Sequence, residues 1–104
     1  MGSIKLPSAE YFTVSEPVTG QVTVTATPAE IFAGGSRLDN RRKMVVTNSH
    51  PVLRCRIGGD TVSQQNGFPL EPGSSVEITF DSSEVVEIYA ISEGTAMEVN
   101  VIEY

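Results

Sequence analysis

QVTVTAT, residues 21–27, decides the reading of this chain. Val22, Val24 and Ala26 fall on one side of an extended backbone; Thr23, Thr25 and Thr27 fall on the other. Period-two alternation of β-branched residues marks a half-buried strand. Working outward, the same signature returns five times. It covers KMVVT (43–47), LRCRI (53–57), VEITF (76–80), VVEIYAI (85–91) and AMEVNVI (96–102). Turn chemistry lies between them at Asn48–Pro51, Gly58-Gly59-Asp60, Asn66-Gly67, Glu71-Pro72-Gly73, Asp81–Ser83 and Glu93–Thr95. Short strands at this spacing predict an all-β domain, an antiparallel β-sandwich or a jelly-roll-like barrel. The connections are too short for helical crossovers, which excludes a parallel sheet. PAEIFA (28–33) is the one helical expectation, a single turn with Thr27 as cap and Pro28 first.

At 104 residues the chain has the length of one domain. Residues 20–104 form the predicted sandwich. Residues 1–19, interrupted by Pro7 and Pro17, read as an N-terminal arm in which Tyr11 and Phe12 are the sticky positions. Two readings of that arm stand side by side: a first edge strand on its own domain, or a segment that docks on a neighbour. The polar start lacks the apolar run of a secretory signal, and Leu6 breaks the myristoylation pattern, so a cytosolic origin is expected.

Thirteen acids against seven bases give a net charge of -6, which argues against nucleic acid and anionic membranes as partners. One His and one Cys are too few for the common structural zinc sites, and no cofactor is expected. Cys55 falls on the inward side of its strand and reads as a small buried hydrophobe. His50 lies in a turn, with no nucleophile elbow and no placed acid to orient it. Glu77, Glu87 and Glu98 alternate outward as solvated strand acids. No enzyme class is expected.

Charge is segregated along the chain. Residues 37–56 hold six bases and one acid, whereas residues 57–104 hold nine acids and no base. Such a pattern arises from bases neutralised by acids across one sandwich. It also arises from complementary patches that meet between copies and close into a ring. On the second reading Arg41, Arg42, Lys43, Arg54 and Arg56, with Tyr11 and Phe12 of the arm, form the interface.

Five further elements occur in a distinctive order. They are the basic-started strand Arg41–Asn48, Ile57-Gly58, the turn-rich Asn66–Gly73, Ile88–Ile91 and the closing Val99–Glu103. In this order, residues 20–104 resemble small all-β virion structural proteins of tailed bacteriophages. The resemblance implies a virion location and a non-enzymatic role as a capsid decoration (cement), head-fibre or tail accessory protein. Its implied partners are other virion proteins, including a major capsid protein, and copies of itself, with a trimer as the expected closed form. Cys55 departs from the pattern, where an aromatic or aliphatic residue is expected. A carbohydrate- or receptor-binding module is the alternative, with Tyr89 as its aromatic candidate.

Overall fold

The computed structural model describes residues 17–81 and 84–104. No helix occurs among them. Eight strands run in chain order: β1 (Val18–Val24), β2 (Ala29–Glu30), β3 (Lys43–Thr47), β4 (Cys55–Gly58), β5 (Phe68–Leu70), β6 (Ser75–Thr79), β7 (Tyr89–Ser92) and β8 (Met97–Glu103). They form two four-stranded sheets, ordered β1-β8-β3-β6 and β2-β7-β4-β5, and every pairing is antiparallel.

Alternation builds the core. Met44 and Val46 of β3 and Met97, Val99 and Val101 of β8 turn inward from the first sheet; Cys55, Ile57, Leu70 and Ala90 turn inward from the second. One continuous apolar cluster joins the two sets, so the domain is sandwich-like.

Several strand limits differ from the sequence expectation. β1 begins at Val18 and ends at Val24, so Thr25–Thr27 lie beyond it and Ala26 is exposed. The first strand thus begins two residues before position 20. The helical turn over 28–33 does not form. Ala29 and Glu30 pair with Ala90 and Tyr89, and Ile31 N–H donates to the Ile88 carbonyl. This extended path buries Ile31 in the core. Long-range pairing here overrides a local helix signal of one turn, which is marginal by itself.

The stretch 85–91 is a strand only from Tyr89. Before it, the chain crosses from one sheet to the other, leaving Val85 80% exposed. β5 occupies residues expected to be turn alone; Pro69 and the short length hide it. Leu70 is buried in the core, whereas Phe68 is 54% exposed.

Two groups lock the loops. The buried Asn48 amide donates to the carbonyls of Leu53 and Leu70 at 2.8 and 2.9 Å, and its Oδ1 accepts from His50 N–H. It therefore ties the end of β3 to the strands of the opposite sheet. His50 stays in the turn expected for it, where Nδ1 accepts from the N–H groups of Val52 and Leu53. On the outward side of the second sheet, the 59–67 loop folds back. Val62 packs against Gly58 and Gly67, and Gln64 donates to the Ser92 carbonyl. Gly67 has φ +94°, and a Cβ there would strike Val62, so this turn requires glycine.

Cys55 is fully buried, in agreement with its inward assignment. Burial pushes its thiol up to about 11, with a smaller contribution from the Glu93 charge. The native protein is expected not to react with a thiol reagent at pH 8, and to react once per chain after unfolding in denaturant. Below about pH 9 both states hold the thiol proton. As pH rises from about 9 to about 11 the unfolded chain loses its proton first. Stability then falls, by at most about 1.4 kcal/mol per pH unit from this group. Urea titrations at pH 8 and pH 10, repeated with Cys55→Ala, measure it.

Candidate functional site

The expected interface residues do not form one patch. Arg42 and Lys43 open β3 in the first sheet, while Arg54 and Arg56 flank and enter β4 in the second. The side chains of Lys43 and Arg56 project from opposite outer faces, because the inward positions beside them are Met44 and Cys55. A strip continuous in sequence is thus divided by the sandwich. Tyr11 and Phe12 lie outside the described residues.

Charge neutralisation within the chain accounts for most of these bases. Lys43 pairs with Glu77 across β3 and β6 at 3.1 Å. Glu77 raises the lysine pKa, first through their hydrogen bond. Arg54 reaches Glu71 at 3.0 Å and Glu93 at 2.9 Å, and Arg56 reaches Glu93 at 2.7 Å. The Arg54 hydrogen bond leads in holding the Glu93 carboxyl below the usual range, against partial desolvation, with Arg56 adding to it. Arg37 pairs with Glu30 at 3.2 Å and lies 3.9 Å from Glu87.

Arg41 must be removed from the surface set. It is 6% exposed, and its guanidinium donates to Glu103, which is fully buried, and to the Val86 carbonyl at 2.6 Å. The same group stacks 4.2 Å above the Phe80 ring. Glu103 also accepts from Ala33 N–H at 3.1 Å. Alternation alone predicts an inward position for residue 103, after Met97, Val99 and Val101, but an inward glutamate reads as chain-end polarity until its cation is known. The pair joins β8, the 31–41 segment and the 81–88 connection.

This pair borders a cleft of about 400 Å³. Leu38, Phe80, Val85 and Val86 line it together with polar and charged side chains, among them Arg37, Asp39, Arg41 and Glu84. A shallower groove of similar volume crosses the outer face of the first sheet, where Val45 and Ile102 are cross-strand neighbours beside Thr19, Gln21 and Asn100. The Tyr89 hydroxyl donates to Glu87 at 3.1 Å on the outer face of the second sheet. Among the described residues, no group of three or more His, Cys, Asp and Glu side chains is placed to hold a metal ion.

Fold and site define a small two-sheet antiparallel β domain whose described basic side chains are largely paired with acids of the same chain. Its cleft is walled by a mixture of apolar and charged side chains, including the paired Arg41. Comparison with known proteins gives no matching family model, no matching curated protein and no matching solved structure.

Proposed function

We propose that the domain is a jelly roll and serves as a non-enzymatic structural protein of a phage virion, a capsid decoration or head-fibre subunit acting through protein–protein contacts. The strand order carries this reading. Eight antiparallel strands in sheets ordered 1-8-3-6 and 2-7-4-5 have the layout of two interleaved Greek keys, an architecture used in viral capsid proteins and lectins. The resemblance in residues 20–104 points the same way. Its turn motif sits where the backbone needs it, with Gly67 and Gly73 both at positive φ on either side of β5. Exposed Phe68 on that edge strand and exposed Val52, Val85 and Val86 are apolar groups available for contact with other virion proteins or further copies of the chain.

Incubation with undecorated phage shells, followed by sedimentation, tests the role. The protein is expected to pellet with the shells, and Phe68→Asp to weaken that association. Wild-type protein remaining wholly in the supernatant would overturn the decoration role. Sedimentation equilibrium of the free protein tests the accompanying proposal of a closed oligomer, a trimer.

A carbohydrate-binding role is the second reading, because lectins share this architecture and Tyr89 stands beside Glu87 on an outer face. A reproducible glycan-array signal lost in Tyr89→Ala would favour it.

A further inference from the structure

The sheet orders leave four strands with an open side: β1 and β6 in the first sheet, β2 and β5 in the second. An unpaired strand edge is a template for another strand, and proteins guard such edges with charge, proline or brevity. Three of the four are guarded. β2 is two residues long and ends on Glu30. β5 is three residues long with Pro69 at its centre. β6 carries Glu77 at its centre, paired with Lys43 on the outer face. β1 has none of these devices. It is seven residues long, VTGQVTV, with no charged residue and no proline. Among the described residues its ladder partner is β8 alone.

The sequence of β1 fits a second copy of itself. Two identical edges join antiparallel about a two-fold axis perpendicular to the sheet, and the contact is isologous. Such an axis keeps inward side chains inward. The period of two then restricts the register, so that one residue must meet its own copy at the axis. Centring on Gln21 uses the whole strand. Thr19 then faces Thr23 of the second copy, Gln21 faces Gln21, Val18 faces Val24 and Gly20 faces Val22. Thr–Thr cross-strand pairs are favourable, and no like charges are opposed. The same operation on β6 would set Glu77 against its own copy. Behind the edge, the partners of Thr19 and Gln21 on β8 are the uncharged Ile102 and Asn100. Glu98, beside Thr23, is the outward acid of β8, and the two-fold axis sends its two copies to opposite ends of the seam.

We infer that β1 is a dimerisation edge, pairing antiparallel with β1 of a second copy about a two-fold axis at Gln21. The seam joins two four-stranded sheets into one continuous sheet of eight. The inference concerns the free chain and does not rest on the virion role. It adds a two-fold contact to any three-fold closure made elsewhere on the surface.

Sedimentation equilibrium of the full-length protein tests it. Gln21→Lys sets two ammonium groups against each other at the axis and is expected to halve the native mass. Gln21→Glu is expected to do the same, and an equal mixture of the two variants to restore the wild-type mass. Halving is expected whether or not a three-fold contact is also present. A wild-type monomer would overturn the inference and leave the edge to a different partner. So would a mass that both variants leave unchanged, or a halved mass that mixing does not restore.

Cross-linking gives a second readout that does not depend on the charged variants. Residues opposed across an antiparallel pair have Cα atoms about 4.5–5.5 Å apart, within the range a disulfide spans. Gln21→Cys is therefore expected to form a covalent dimer under mild oxidation. Thr19→Cys, which faces Thr23, is expected to remain uncrosslinked, and buried Cys55 takes no part. Equal cross-linking at positions 19 and 21, or none at 21, would overturn the seam.

Discussion

Glu103→Ala is expected to lose about 3–5 kcal/mol of folding stability, the range for breaking a buried ion pair from one side. The reason is the state of the partner left behind. Arg41 is 6% exposed, so without Glu103 its guanidinium is left inside with the Val86 carbonyl and the Phe80 ring. Ala33 N–H loses its acceptor as well. For a domain of this size each kcal/mol corresponds to roughly 4–8 °C in Tm, so a fall of more than about 12 °C is expected. Thermal and urea unfolding measure it. Arg41→Ala should cost a similar amount, since it strands the glutamate instead. Lys43→Ala is the control. Its pair with Glu77 is half-exposed on both sides and screened by solvent, so its loss is expected to move the unfolding midpoint little. The double variant Arg41→Met/Glu103→Leu should recover much of the loss, because no unpaired charge is left inside. Equal effects for Glu103→Ala and Lys43→Ala would contradict the burial on which this expectation rests.

Gly20→Ala is expected to destabilise the domain at the upper end of about 1–3 kcal/mol, or beyond it, although alanine normally suits a strand at least as well as glycine. Gly20 lies within β1, paired with Val101. A Cβ there would fall well inside contact distance of the Ala33 carbonyl oxygen. Backbone cannot swing aside as a side chain does. Either β1 parts from β8 or the 31–33 segment lifts, and the latter also pulls Ala33 N–H from Glu103. Gly59→Ala, where nothing stands within 4 Å, is expected to change stability by less than about 0.5 kcal/mol. Urea midpoints for the two variants separate crowding from any general effect of losing glycine. The Glu103 and Gly20 effects share the Ala33 segment, so the double variant should fall short of additivity.

Strand existence was legible because alternation survives any tertiary context. KMVVT is observed with the expected limits, and VEITF and AMEVNVI are each displaced by one residue. Two failures have particular causes. PAEIFA has a plausible cap and no competing local signal, yet a β7 partner some sixty residues away takes its backbone hydrogen bonds. VVEIYAI looks like a full strand, but its first residues must cross between sheets, and Arg41 captures the Val86 carbonyl on the way. The basic strip shows the same limit. Six bases close in sequence read as one surface, and two layers of sheet send them to different places.

By itself, the sequence determined an all-β antiparallel class, the inward side of nearly every strand, the turns and the burial of Cys55. Each follows from local alternation, φ restrictions and turn chemistry. Only the tertiary structure decided the strand order, the extended path of residues 28–33, the pairing of each base with its acid and the burial of Arg41 with Glu103. These depend on which distant segments meet. A carboxylate in an alternating strand carries no local mark of whether a cation or water will satisfy it.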